Sequence, residues 1–353
     1  MKKSTKLAIA LPLLSLCSFS TSAALNGYPV VLVHGFQAGD LSSKPNADKV
    51  TSNGQAYWQA YWDSFADERL DWPSHERISG KIATDYIWPK IKKLSQDGTC
   101  QSGCIFVTHS TGDLVTRYLI DNQANWLTNA GLEPLNIVAT FDFAGAGGGS
   151  ELADLAHNVT EGSGAVNASL RWALSLWLGE TPTQGNIGVL NDLRVNTARQ
   201  LAPFPSSQVP RLRFVGDGSD FFGATGGFLP GHDDGVVSSH SACGATEAGS
   251  FGSCSTTTAF DGKQELQSNA VNAFMPYHYP LLMGEDYSHN GTIAPKQQGK
   301  LTVASSSAQF SDGKTLSFDT KDVESGWFSR STYRYVIDSE NTAMSQTVVN
   351  ALN

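Results

Sequence analysis

Apolar and polar positions along the chain fall into blocks of different length and period. Tyr28-Pro-Val-Val-Leu-Val-His-Gly-Phe36 is a nearly continuous apolar run, the pattern of a strand buried on both faces. Residues 37–56 are mostly polar, rich in Ser, Asn and Asp, and read as a loop. Tyr57, Trp58, Tyr61, Trp62 and Phe65 then recur at helical spacing, which predicts a helix packed on a sheet rather than a ligand-binding box. Ile82 to Leu94 predicts an amphipathic helix. It leads through the Cys100–Cys104 segment into Ile105-Phe-Val-Thr-His-Ser-Thr-Gly112, a short β-branched and aromatic run that ends abruptly. The helix-compatible stretch Asp113 to Asp121 follows at once. Leu135 to Phe143 is a further strand, ending in Ala144-Gly-Ala-Gly-Gly-Gly-Ser150, and a helix can start at Glu151. Strand, helix and strand in this order predict an α/β fold with a mostly parallel central sheet and crossover helices.

Beyond this point the alternation loosens. Within residues 155–209, Leu170-Arg-Trp-Ala-Leu-Ser-Leu-Trp-Leu178 is strongly apolar and reads equally as a cap or lid over the sheet and as a buried core helix. Arg211 to Val215 resumes a strand, followed by the loop 216–234. From Thr292 the composition shifts to Ser, Thr and Lys. There Lys300–Val303 and Thr315–Phe318 predict a hairpin with Asp312-Gly313 in its turn, and residues 341–352 a helix. With no repeat and no linker, residues 25–291 read as one domain and 292–353 as a C-terminal appendage packed on it.

Composition sets the compartment. Met1 to Lys6 is basic, Leu7 to Phe19 mostly apolar, and Ser20-Thr-Ser-Ala-Ala24 offers small residues for cleavage. Residues 1–24 therefore read as a signal peptide, and the mature chain as secreted, extracellular or periplasmic. Cys17 lies inside it, in a context unlike a lipoprotein cleavage site. Losing Lys2, Lys3 and Lys6 and no acid takes the net charge from −9 to −12. That argues against binding nucleic acid or anionic membranes through charge. No later stretch is apolar and long enough to be an integral membrane segment. Four cysteines remain in an oxidising compartment, and Cys100–Cys104 and Cys243–Cys254 are the preferred bridges of three possible connectivities. Neither pair has zinc spacing, so no metal is expected. The glycines after Phe143 lack both the GK[ST] ending and the dinucleotide spacing, so they imply no cofactor and read as a close backbone approach near a substrate. The sequons at Asn158, Asn167 and Asn290 carry no weight.

The chemistry centres on Thr108-His-Ser-Thr-Gly112. A strand running into a sharp turn with a serine at its tip, and then directly into a helix, is a nucleophile elbow. Small residues are needed two before and two after the serine because strand and helix nearly touch. Gly112 meets this; Thr108 stands where the first glycine is usual. A serine hydroxyl needs a histidine to take its proton, and that histidine needs a carboxylate to hold it. In α/β-hydrolases the acid and then the base follow the serine. His240, His278 and His289 are then base candidates, while His157 comes too early and His232 adjoins the acids. Asp142, Asp217, Asp220, Asp233 and Asp234 are the acid candidates.

Val30-Val-Leu-Val-His-Gly-Phe36, the Thr-His-Ser-Thr-Gly elbow, Gly148-Gly-Ser-Glu-Leu-Ala-Asp154, Ser219-Asp-Phe-Phe-Gly223 and Asp233-Asp-Gly-Val-Val-Ser-Ser-His240 together resemble the secreted bacterial lipase family of α/β-hydrolases. The likeness spans residues 28–291 patchily and leaves the appendage unexplained. It implies Ser110 as nucleophile and Asp234 as acid, with Val236 where the family has leucine. It implies His289, in Asp286-Tyr-Ser-His-Asn290, as base, with Asp142 and His278 the runners-up. The backbone N–H of Thr111 would form an oxyanion hole with that of Phe36 or its neighbour Gln37. The family's calcium ligands map to Asp220 and to Gly291, which has no side-chain oxygen, so calcium is not expected. The resemblance thus implies a secreted serine carboxylic-ester hydrolase, a triacylglycerol lipase in the first instance. Its partners would be an apolar ester or lipid substrate and a lipid–water interface; a foldase is neither implied nor excluded. A polyester depolymerase, thioesterase or acyltransferase would use the same triad. An inactive secreted binding protein on this scaffold is the reading from another class.

Overall fold

The computed structural model describes residues 25–162, 167–183, 185, 187–201, 208–326 and 330–352. The signal peptide expected at residues 1–24 lies outside the described residues. Seven strands form the main sheet: Val30–Val33 (β1), Glu68–Leu70 (β2), Cys104–His109 (β3), Ile137–Phe143 (β4), Arg211–Gly216 (β5), His278–Gly284 (β6) and Thr302–Val303 (β7). Their order is β2-β1-β3-β4-β5-β6-β7. All neighbours run parallel except β7, which is antiparallel to β6.

The unbroken apolar runs of β1 and β3 follow from burial on both faces. Val31, Val33 and Phe106 pack in one cluster with Ile91, Leu94 and Leu114. Their alternating neighbours Val30, Leu32, Ile105 and Val107 pack in the other with Trp58, Trp62, Met344 and Val348. Each fully buried side chain of this size contributes about 1.5–3 kcal/mol of transfer free energy.

The expected polar loop at 37–56 is largely helical, with helices at Gly39–Ser43 and Ala47–Asp63. The Asn46 side chain accepts the Lys49 N–H at 3.0 Å, an N-terminal capping bond, so a helix starts in exposed polar residues ahead of the aromatic series. Trp58 and Trp62 are fully buried from its second half. The helix expected over 82–94 is in two pieces, a π-helical stretch Ile78–Ile87 and an α-helix Trp88–Gln96.

The C-terminal hairpin forms with a different partner. Thr315–Ser317 (β9) pairs with Ser307–Gln309 (β8) around the expected turn, while residues 302–303 join the main sheet. Leu301 and Val303 are buried, and the sheet edge covers them as a small hairpin could not. A second hairpin joins Thr320–Ser325 (β10) to Ser331–Val336 (β11). The helix Met344–Leu352 lies on the face that carries Trp62, whose Nε1–H donates to Ser345 Oγ at 3.2 Å. Disulfides link Cys100 to Cys104 and Cys243 to Cys254, as the spacing suggests. No described helix is long and apolar enough to cross a membrane.

Candidate active site

The site forms where β3 ends. Ser110 stands between β3 and the helix Thr111–Asn129 with φ 56° and ψ −127°, a conformation that costs a side-chain-bearing residue about 1–3 kcal/mol. Three backbone bonds hold it there. Ser110 N–H donates to Phe143 O at 3.1 Å, and Ala146 N–H (3.0 Å) and Asp113 N–H (3.1 Å) donate to Ser110 O. The turn is crowded. A Cβ on Gly112 would collide with the carbonyl oxygens of Val33 and His34, and one on Gly35 would sit 2.7 Å from the Ser110 Cβ. Thr108 is tolerated because its hydroxyl is used: Oγ1 donates to Asp142 Oδ1 at 2.7 Å.

His289 follows β6, and Asp234 lies in the loop after β5. His289 Nδ1 is 2.9 Å from Asp234 Oδ2, and His289 N–H donates to Asp234 O at 2.7 Å. The other carboxylate oxygen accepts the N–H groups of Val236 (3.0 Å) and Val237 (2.8 Å). Asp234 is fully buried, so its carboxyl oxygens are met by His289 Nδ1 and the N–H groups of Val236 and Val237 rather than by water.

Ser110 and His289 line one cavity of about 100 Å³ together with Phe36, Thr111, Tyr57, Trp177, Leu193, Phe221, Val236 and Val237. Thr111 opens its helix, where backbone N–H groups have no intrahelical acceptor. Phe36 lines the cavity, whereas the N–H of Gln37 already donates to Ser74 Oγ at 2.8 Å. Trp177, from the helix Ala168–Leu178, meets the Phe36 ring with centroids 5.6 Å apart.

The remaining candidates lie elsewhere. Asp142 is buried in an ionic network, accepting from Thr108, Thr140 and Arg211, with Arg213 at its edge. Arg211 and Arg213 also hold Asp113, at 2.7 and 2.8 Å. Burial pushes the Asp113 carboxyl up, but the two guanidinium groups outweigh it and keep it well below the usual carboxylate range. His278 is level with Arg211, Thr140 and Phe106 across the sheet, four residues before Ser110 on β3. Its Nδ1 meets Pro276 O at 2.8 Å. His240 is bonded to Glu151 (2.6 Å) and Arg199 (2.8 Å), and His232 to Asp217 (2.7 Å). His157 pairs with Arg194 at 3.3 Å. Asp233, next to Asp234, accepts from Gly235 N–H at 2.8 Å, and burial pushes it up to about 7. Asp220 accepts from both the backbone and the side-chain N–H of Asn290, at 2.9 Å each, which ties its loop to the turn carrying His289. Among the described residues, no group of three or more His, Cys, Asp or Glu could hold a metal ion.

Two residues beside the site escaped sequence reasoning: Tyr57, which lines the cavity, and the buried His109. Tyr57 reads there as one member of a packing stripe, and His109 as elbow backbone. The Tyr57 hydroxyl bonds His109 Nδ1, and His109 Nε2 reaches the His289 carbonyl at 2.9 Å. Only the fold brings them together.

No protein-family model and no curated protein matches the chain. Solved structures similar to it include the mature lipase BlEst2 of Bacillus licheniformis, 18% identical over 61% of this chain and 78% of that one, with a TM-score of 0.40. The Staphylococcus hyicus lipase is 13% identical over 75% of this chain and 88% of that one, TM-score 0.40. Phospholipase PlaB of Legionella pneumophila is 19% identical over 61% of this chain and 44% of that one, TM-score 0.37. Likeness this distant carries no argument about chemistry. The parallel strand order, the elbow at the end of β3 and the loops after β5 and β6 that converge on it give this chain an α/β-hydrolase fold.

Proposed function

We propose that the chain is a secreted serine carboxylic-ester hydrolase acting on acylglycerols or similar apolar esters. One observation carries the reading: a serine in strained elbow geometry shares a cavity with a histidine whose Nδ1 is 2.9 Å from a buried carboxylate. In this reading Ser110 Oγ attacks the ester carbonyl while His289 Nε2 takes its proton. Asp234 holds the imidazole by Nδ1 and stabilises its cation. The N–H groups of Phe36 and Thr111 receive the developing oxyanion. His289 then protonates the leaving alcohol, and water, activated by the same histidine, releases the acyl group from Ser110.

The surroundings support an apolar substrate. Phe36, Trp177, Leu193, Phe221, Val236 and Val237 give the cavity wall a large apolar part. Phe222, beside Phe221, is fully exposed, and so is over half of Trp172, on the helix that carries Trp177. Exposed aromatics next to residues of the cavity wall suit work at a lipid–water interface. Residues 25–291 would then be the catalytic domain, 155–209 its cap, and 292–353 the appendage. The two disulfides support an oxidising, extracellular or periplasmic setting.

Hydrolysis of p-nitrophenyl esters of increasing acyl length, with wild type and Ser110→Ala, tests the reading. The variant should lose activity by about a thousandfold or more. Equal activity in both would remove Ser110 from the mechanism. Folded wild type that neither hydrolyses esters nor reacts with a fluorophosphonate would be better read as a binding protein.

A further inference from the structure

We propose that His109, backed by Tyr57, is a positioning residue for the base, a neutral strut that fixes the His289 turn relative to Ser110. The inference rests on the hydrolase reading above. His109 is fully buried at the last position of β3, directly before the nucleophile. Its ring lies against that of His289, with centroids 4.7 Å apart. The two hydrogen bonds of its ring determine its tautomer. His109 Nε2 is 2.9 Å from the His289 carbonyl oxygen, which can only accept, so Nε2 carries the proton. Nδ1 is then a lone pair, and the Tyr57 hydroxyl donates to it. The backbone that aims Ser110 therefore also carries the contact that sets the height of His289. A single residue step separates the nucleophile from the support of its base.

The strut must also stay uncharged. When His289 takes the serine proton, a cation forms against the His109 ring, and a second cation there would oppose it. Burial, with His289 adding to it, holds the His109 imidazole well below its usual range, while burial pushes the Tyr57 hydroxyl up and keeps it a donor. The other ionisable groups facing the assembly are Asp234 on His289, Asp220 through Asn290, and His34, whose ring is 5.5 Å from that of Tyr57. Burial lowers His34 to about 4, so it too is neutral at pH 7.

The test compares wild type, His109→Leu, His109→Gln and Tyr57→Phe by ester kinetics and by the rate of fluorophosphonate reaction at Ser110, with melting curves for each. His109→Leu removes both bonds and should lower kcat and the phosphonylation rate roughly 10- to 100-fold, with KM within about twofold. His109→Gln keeps an N–H for the His289 carbonyl and should recover most of the loss. Tyr57→Phe, nearly isosteric, should lose about fivefold in kcat. A His109→Leu enzyme with wild-type kcat and phosphonylation rate overturns the inference. So does a Gln variant as slow as the Leu variant at equal stability. If His109→Leu does not fold, wild-type kcat in Tyr57→Phe overturns it instead. Wild type unreactive at Ser110 removes the hydrolase reading itself, a result distinct from all of these.

Discussion

At the scale of single residues the elbow depends on empty space. Gly112 has no room for a side chain, because what it would meet is the carbonyl backbone at the end of β1, which cannot turn away as a side chain can. Gly112→Ala should therefore destabilise by several kcal/mol or prevent folding, seen as a large drop in melting temperature. Gly131→Ala is the control: its φ of 71° carries backbone strain, but a Cβ there meets nothing within 4 Å, so the loss should be about 1 kcal/mol. A near-normal melt for Gly112→Ala would show that β1 can withdraw. This crowding is legible in the sequence, since a serine flanked by small residues between strand and helix has few other uses. Adjacent aspartates are not legible in the same way. Asp233 and Asp234 look alike as residues, and resemblance alone ranks them. In the structure one carboxylate meets His289, while the other bonds Gly235 N–H. The tie between Tyr57 and His109 spans 52 residues and has no periodic signature.

Among the elements, the helix Ala168–Leu178 does two jobs at once, which is why its apolar run reads two ways. Leu170, Ala173 and Leu174 are buried, Trp172 points out, and Trp177 closes on Phe36 over the cavity. In the ester-hydrolase reading, removing that closure should lengthen the acyl chain the site accepts. Trp177→Ala should raise kcat/KM for octanoyl relative to butyryl esters by about tenfold or more, the worth of one to two of the four extra methylenes newly accommodated at about 1 kcal/mol each. An unchanged acyl-length profile would mean that the chain leaves the cavity by another wall. Two expectations failed at this scale for physical reasons. The first turns of Ala47–Asp63 bury only Val50 and Gly54, too few apolar positions to show a period, and the capping Asn46 marks their start. In the C-terminal hairpin the turn was legible but its partner was not, because period-two alternation is satisfied by either of two nearby strands.

Across the whole molecule, Glu68–Leu70, His278–Gly284 and the order of the strands left no trace in the sequence, while Val30–Val33, Cys104–His109, Ile137–Phe143 and Arg211–Gly216 were legible, mostly as apolar runs. The ionic network beneath the elbow was not: Asp113, Asp142, Arg211 and Arg213 look like surface charge or candidate acids until the sheet closes round them. Buried histidines also make stability depend on pH. Burial takes His34 down to about 4 and His109 and His278 well below their usual range, so between pH 6.5 and 4 the unfolded chain binds a proton at each of these three sites that the folded chain does not. Their contribution should be full above about pH 6.5 and fall as the pH drops towards 4, by on the order of 3 kcal/mol from His34 alone, while Asp233, pushed up to about 7, and Asp71, pushed up to about 6, act with the opposite sign. Urea unfolding of wild type and His278→Gln at pH 7.5 and 4.5 isolates the histidine part: the variant should lose less stability on acidification than the wild type. The Asp113 contribution has a lower window: it is present above the ordinary aspartate range and lost only as the pH falls through its depressed folded value. The bond from Trp62 to Ser345 joins residues 283 apart, and β7 closes the sheet from position 302. During synthesis, the aromatic face of Trp58 and Trp62 therefore lacks its outer cover from Met344 and Val348 until these late residues have emerged. A nascent chain stalled before residue 344 would present that half-covered face to whatever chaperone or neighbour it met first.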